Sequence, residues 1–152
     1  MTGKGYTSEL ETALTRSDAE LLIQQIDAFI AHHMTGNPDW PNDQVDDFVA
    51  VLDSYLEQDK ALAFLALAAA RTDDALFLAM MGAGPLEDLL GAPRRDILDR
   101  IVAEARKSAR FRWLLSVPFK SAVTTEAWEA IKPFRVTGPN EEPRQDTLPP
   151  RS

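Results

Sequence analysis

ALAFLALAAA, residues 61–70, is the most apolar stretch of the sequence and decides the fold class. A helix that crosses a bilayer needs about 20 apolar residues, whereas Arg71-Thr72-Asp73-Asp74 interrupts this run before Ala75-Leu76-Phe77-Leu78 resumes it. A helix that is apolar nearly all round belongs inside a layer of other helices. The stretch therefore predicts a central core helix over about 60–71 and no membrane span.

Amphipathic helical patterns flank this core helix on both sides. Ser17 with Glu20 has the form of a capping box, and apolar residues then recur at helical spacing over about 18–34. Further helices are predicted over about 43–57, 73–81, 85–90, 94–107 and 125–132, with a short helical continuation that Pro118 closes. Period-two alternation, the mark of strands, is not sustained anywhere. The sequence predicts an all-α fold of about six to eight helices, as a single-domain bundle or a short stack of antiparallel helix pairs.

The length of 152 residues suits one domain. Residues 1–16 are predicted to be an N-terminal arm or short helix, and residues 17–135 the helical domain. From 136 to 152 the chain is rich in proline and charge, with Val136 and Leu148 as its sizeable apolar residues. Such a segment buries too little surface to offset its ordering entropy, so a disordered tail is predicted there.

Composition excludes several kinds of site. The sequence has no cysteine and two histidines, His32 and His33, which rules out disulfides, thiolate metal sites, cysteine nucleophiles and a three-histidine metal site within one chain. The adjacent histidines leave a helix about 100° apart and cannot easily share one ion. No zinc-protease, nucleophile-elbow or Walker sequence occurs. We predict no cofactor and favour a non-catalytic protein over an enzyme.

The most distinctive segment is MMGAGPLEDLL, residues 80–90. In the structural interpretation, Gly82 and Gly84 provide a conformation or a close contact that a side chain would block, and Pro85 begins a short helix. Leu86, Leu89 and Leu90 then dock that helix on the core. The alternatives are a partner-facing pair formed by Glu87 and Asp88, or a catalytic pair formed by the same two carboxylates.

Charge is distributed unevenly along the chain. The formal net charge is −8 and the sequence pI is about 4.7, which argues against general binding to nucleic acid or anionic membranes. Residues 1–60 contain 12 acidic and 3 basic residues, whereas residues 94–112 contain 7 basic and 3 acidic ones. Asp43, Asp46 and Asp47 lie on a predicted helix and are the better candidates for a docking surface. The basic segment is interpreted as a solvated face, with nucleic-acid binding as the alternative.

The residues Gly84-Pro85-Leu86-Glu87-Asp88-Leu89-Leu90 carry a resemblance. They match the core motif of an uncharacterised bacterial family of small helical domains, which continues with an A-R-x-x-x-x-F-R-x-x-L pattern. Here that pattern is formed by Ala105-Arg106, Phe111-Arg112 and Leu115, and Trp128 matches the family's C-terminal tryptophan helix. The resemblance covers about residues 45–135. It implies a helical domain of unknown function and supplies no activity.

Two function classes follow from these observations. The first is a non-catalytic acidic module in the cytoplasm that binds a basic protein partner, as an adaptor or a toxin-neutralising immunity protein would, because acidic surfaces speed encounter with basic partners. The alternatives are a nucleic-acid-associated factor that uses 94–112, and a small enzyme built on Glu87, Asp88 and a histidine. A homo-oligomer is open, since the alanine-rich helix is able to pack within one chain or across a two-fold axis.

Overall fold

The computed structural model describes residues 8–31 and 57–150, and within these two stretches every regular element is helical. The α-helices are α1 (Glu9–Leu14), α2 (Ala19–Phe29), α3 (Gln58–Arg71), α4 (Ala75–Met81), α5 (Glu87–Gly91), α6 (Arg95–Lys107), α7 (Ala109–Leu115) and α8 (Thr125–Ile131). Gly82–Leu86 is a π-helical segment, and 3₁₀ turns occupy Lys120–Ala122, Lys132–Phe134 and Gln145–Thr147. The prediction of an all-α fold is confirmed for these residues.

Helix α3 is the centre of the fold. Every residue from Ala61 to Ala68 is buried, and the helix packs against α1, α2, α4, α6, α7 and the π-helical segment. Each large apolar side chain that leaves water contributes about 1.5–3 kcal/mol, so this run supplies a large share of the core. Because α3 is covered from several sides, the described helices form a bundle around it.

Side-chain caps set where four of the helices begin. In each case the cap oxygen accepts a hydrogen bond from the backbone N–H three residues later, which satisfies one of the free donors of the first turn. The capping residues are Ser8, Asp74, Ser108 and Thr124.

The capping box predicted at Ser17 is wrong. Asp18 precedes α2, and its side chain makes no cap hydrogen bond. The carboxylate instead binds the guanidinium of Arg16, with Oδ1 2.8 Å from Nε. This ion pair lowers the pKa of Asp18, mainly through the side-chain hydrogen bond. The last three residues of the predicted 18–34 helix, after residue 31, lie outside the described residues.

Residues 136–150 pack against the helices, in contrast to the disordered tail that composition predicts. Val136 N–H donates to the hydroxyl of the buried Ser116 at 2.8 Å, and Lys120 N–H donates to the carbonyl of Pro139 at 3.0 Å. Pro143 is buried. The prediction counted apolar side chains, whereas this segment is held mainly by hydrogen bonds between its backbone and the domain.

Within the described stretches, no helix combines the length and the apolar character that crossing a bilayer requires.

Candidate functional site

The GAGPLEDLL segment lies in the middle of one continuous helical stretch. The backbone stays helical at both ends of the π-helical segment. Gly82, its first residue, and Glu87, the first residue of α5, both have α-helical backbone angles. The predicted break at Gly82 and the predicted helix start at Pro85 are therefore wrong. Proline cannot donate a backbone hydrogen bond to the residue four positions earlier. A π-helical turn accommodates this defect, and Glu87 N–H donates to the carbonyl of Gly82, five positions earlier.

The two glycines of this segment differ in their surroundings. A Cβ added to Gly82 would lie 2.6 Å from the Cβ of Val117 and 3.1 Å from the carbonyl oxygen of Leu114. Gly82 therefore allows the π-helical segment to approach the end of α7. A Cβ added to Gly84 would meet nothing within 4 Å, so the close-contact interpretation is wrong for Gly84. Leu86, Leu89 and Leu90 are fully buried.

Glu87 and Asp88 point to different surroundings and do not form a paired carboxylate site. The carboxylate of Glu87 accepts a hydrogen bond from the backbone N–H of Phe119 at 3.3 Å, and so joins α5 to the loop after α7. Asp88 is exposed and has no ion-pair partner among the described residues. Partial desolvation by the surrounding chain raises the pKa of Asp88.

The basic segment 94–112 is largely occupied by contacts within the chain. Arg94 forms ion pairs with Asp59 and Asp96, and Arg95 forms ion pairs with Asp99 and Glu126. Arg100 forms ion pairs with Glu9 and Asp59, and Arg110 with Asp73. Arg112 donates a hydrogen bond to the carbonyl of Ala105. Arg95 and Arg106 also border a groove of about 330 Å³ that Asp99 and Glu126 line as well. Four of the seven basic residues of this segment therefore lie in ion pairs with carboxylates of the same chain.

The strongest of these contacts joins α1 to α6. The carboxylate of Glu9 is almost fully buried and accepts hydrogen bonds from Nε and Nη2 of Arg100 at 2.9 and 2.7 Å. Arg100 also donates from Nη1 to Asp59 at 2.7 Å. Desolvation raises the pKa of Asp59, but hydrogen bonds from Arg100 and Arg94 outweigh it, so that this pKa lies below its ordinary value. The network holds α1, α3 and α6 together.

A buried guanidinium, that of Arg110, organises the other end of α3. Arg110 is 4% exposed, and its Nη1 donates to the carbonyls of Ala69 and Thr72 at 3.0 and 2.6 Å. Nη2 binds Asp73 at 2.8 Å, and both Nε and Nη2 donate to the carbonyl of Pro149. Arg110 thus satisfies the C-terminal carbonyls of α3 and holds the C-terminal segment on α7.

A third arginine closes the loop between α7 and α8. Arg135 donates to the carbonyls of Leu115, Pro118 and Gly138. Its guanidinium carbon lies 5.0 Å from the ring centroid of Trp128, a cation–π geometry. Burial lowers the pKa of Arg135, although an arginine remains charged at neutral pH.

The remaining candidate residues cannot be placed. Asp43, Asp46, Asp47, His32 and His33 lie outside the described residues. Among the residues that are described, no three histidine, aspartate or glutamate side chains are grouped so as to hold a metal ion.

A family described as a family of unknown function, DUF6869, matches residues 37–138. This match spans more than half of the chain. The chain belongs to DUF6869. The resemblance inferred from the GPLEDLL motif to an uncharacterised domain family is thereby confirmed. The DUF6869 region contains α3 to α8, whereas α1, α2 and residues 139–150 flank it. No curated protein and no solved structure matches the chain.

Glu9 and Arg110 are the two most deeply buried charged residues of the described chain, and neither is predicted from the sequence to have a structural role. Their contacts join residues that are far apart in sequence: 91 positions separate Glu9 from Arg100, and 39 separate Arg110 from Pro149. The signal available for Arg110 was its place among apolar residues, between Ala109 and Phe111. Glu9 gave no comparable signal.

Proposed function

We propose that this DUF6869 protein is a non-catalytic acidic interaction module that binds a basic protein partner in the cytoplasm. The observation that carries the proposal is that arginines of the basic segment 94–112 are bound within the chain, while the chain as a whole has an excess of carboxylates. Guanidinium groups of this segment bind carboxylates and backbone carbonyls of the same chain. The net charge of the chain is −8. A surface with an excess of carboxylates attracts a basic partner and steers its approach.

Asp88 is the described residue best placed to take part. Its carboxylate is exposed and has no ion pair within the described stretches. Glu87 contributes by holding the Phe119 loop rather than by facing a partner. Asp43, Asp46 and Asp47 remain proposed members of the binding surface on the basis of their sequence pattern. The cysteine-free sequence fits a reducing, cytoplasmic compartment.

The nucleic-acid alternative has less support, because a phosphate-binding surface needs cationic side chains that are free to neutralise phosphates. Arg94, Arg100 and Arg110 each bind a carboxylate of the same chain. The enzyme alternative needs Glu87 and Asp88 to act together, and Glu87 is bound to a backbone amide instead.

The proposal is tested with the partner that the tagged full chain captures, at near one-to-one stoichiometry, from the lysate of its own cells. We expect Asp88→Lys to slow association about tenfold at low ionic strength and much less at high salt. The control is Glu20→Lys, which makes the same change in net charge at another exposed carboxylate without an ion pair among the described residues.

A triple variant, Asp43→Lys with Asp46→Lys and Asp47→Lys, tests the second part of the surface in the same assay. Equal slowing by Asp88→Lys and Glu20→Lys would show that only net charge matters and would refute the assignment of Asp88. A partner whose association does not depend on salt would contradict the proposed function itself.

A further inference from the structure

The C-terminal segment crosses α7 in a conformation typical of peptide ligands. Arg144 has φ −69° and ψ 143°, and Leu148 has φ −59° and ψ 121°, on either side of a single 3₁₀ turn. These two residues have angles near polyproline II, whereas the turn between them is closed by hydrogen bonds from Thr147 N–H to the carbonyl of Arg144 and from Leu148 N–H to that of Gln145. The segment also contains Pro143 and Pro149.

Two donors on α7 receive this segment. Arg110 donates from Nε and Nη2 to the carbonyl oxygen of Pro149, at 2.9 and 2.8 Å. The indole Nε1 of Trp113 donates to the hydroxyl oxygen of Thr147 at 3.1 Å. An aromatic ring with N–H donors beside it is the usual means by which proteins bind extended proline-containing peptides.

The receiving face is fixed independently of the segment. The bonds from Arg110 to Ala69, Thr72 and Asp73 hold the guanidinium in one orientation, and Trp113 is 1% exposed within the core cluster. These residues lie inside the matched region 37–138, whereas the acceptors Thr147 and Pro149 lie beyond it. The domain therefore presents donors whose acceptors come from a flanking segment.

The flanking segment is weakly anchored by comparison. From 139 to 150, Pro143 is the one buried residue, and Leu148 is partly buried. Beside α7 there is an open groove of about 510 Å³, lined by residues of α7 and of the segment, including Trp113, Pro143 and Thr147. Because the segment covers little apolar surface, its contacts with α7 are mainly the hydrogen bonds from Arg110 and Trp113, and segments of this kind open at low free energy.

We propose that the face of α7 formed by Ala109, Arg110 and Trp113 is a docking groove for a proline-containing peptide of a partner protein that carries a single 3₁₀ turn, and that residues 143–149 occupy it in cis. The tethered segment competes with a partner peptide at an effective concentration of about a millimolar. A partner peptide therefore binds only if its affinity is high enough to displace the segment. This groove is distinct from the acidic surface proposed above, and the two proposals fail separately.

The test uses the full chain and a synthetic peptide with the sequence of residues 139–150. The double variant Thr147→Ala with Leu148→Asp removes the acceptor of the indole and the partly buried leucine, and so opens the groove. Gln145→Ala, at an exposed position of the same segment, is the control. The readout is the ¹⁵N–¹H signal of the Trp113 indole, which the spectrum of Trp113→Phe identifies.

We expect the peptide to shift the Trp113 signal of the double variant, with an affinity at least about tenfold higher than for the wild type and the control. A peptide that carries Thr147→Val should bind about tenfold more weakly, since it lacks the hydroxyl that accepts from the indole. A folded double variant whose Trp113 signal does not respond to peptide at about a millimolar would overturn the proposal.

Two further outcomes are decisive. If the double variant does not fold, hydrogen exchange of the wild-type chain replaces it. Exchange of the Trp113 indole that is faster than that of the α3 amides supports the proposal, and exchange only on global unfolding overturns it. If light scattering shows that the double variant and the wild type form a mixed dimer, the occupant is a second copy, and the assignment to a partner protein is wrong.

Discussion

At the scale of single residues, Gly82 and Gly84 provide a matched pair of substitutions. Gly82→Ala forces a Cβ against Val117 and the backbone of Leu114, and overpacking of this kind costs about 1–3 kcal/mol. Gly84→Ala places its methyl group in open space apart from the chain neighbours, and because the following Pro85 disfavours helical angles at a residue with a Cβ, the usual gain from replacing a helical glycine is offset and a change of less than about 0.5 kcal/mol is expected. Urea unfolding of both variants measures the two free energies. Equal effects of the two substitutions would contradict the packing role of Gly82.

The sequence indicated that glycines at 82 and 84 matter, but it did not separate them. The residue that contacts Gly82 is Val117, 35 positions away. A local sequence pattern does not predict a contact between residues so far apart. The same limit applies to Arg110, whose acceptors come from two separate parts of the chain, 69–73 and Pro149. Single-residue roles of this kind depend on long-range packing that composition and periodicity do not encode.

At the scale of the elements, the helical periodicity was a good guide. The predicted spans 60–71, 94–107 and 125–132 correspond to α3 (Gln58–Arg71), α6 (Arg95–Lys107) and α8 (Thr125–Ile131), because apolar spacing reflects the buried face of each helix. The exception is the region around Pro85. Proline normally marks a helix start or break, but here the π-helical turn and the buried Leu86 carry the chain through it.

The boundary between α6 and α7 depends on one side chain. Ser108 leaves the helical conformation, with φ −119° and ψ 114°, and its hydroxyl accepts from Phe111 N–H at 3.0 Å. Ser108→Ala should lower the free energy of unfolding by about 1 kcal/mol, the usual effect of removing a serine cap. Ser121→Ala, at an exposed serine of the Lys120–Ala122 turn, should change it by less than about 0.5 kcal/mol. Thermal and urea unfolding compare the two variants, and an equal effect would exclude a capping role for Ser108.

At the scale of the whole molecule, charge as well as apolar packing connects the flanking helix α1 with the DUF6869 region, since Ala13 of α1 is buried in the core. The carboxylate of Glu9 is 2% exposed, so it depends on Arg100, which is itself 28% exposed. Loss of one member of a buried ion pair leaves the other charge desolvated and unpaired, which costs more than loss of both. The charge pattern of the sequence predicts a solvated basic face over 94–112, whereas the structure joins Arg100 of that segment to Glu9 in a specific pair.

The consequence is a non-additive pair of substitutions. Arg100→Gln should lower the free energy of unfolding by about 2 kcal/mol, a figure reduced from that of a fully buried pair because solvent reaches the guanidinium. The double variant Glu9→Gln with Arg100→Gln should recover about half of this loss, since no buried charge is then left unpaired. The matched control is Arg95→Gln on the same helix, whose ion pairs are exposed and whose loss should cost less than about 0.5 kcal/mol. Urea unfolding at constant pH and ionic strength measures all three, and a double variant that is less stable than Arg100→Gln would show that Glu9 stabilises α1 by a means other than this pair.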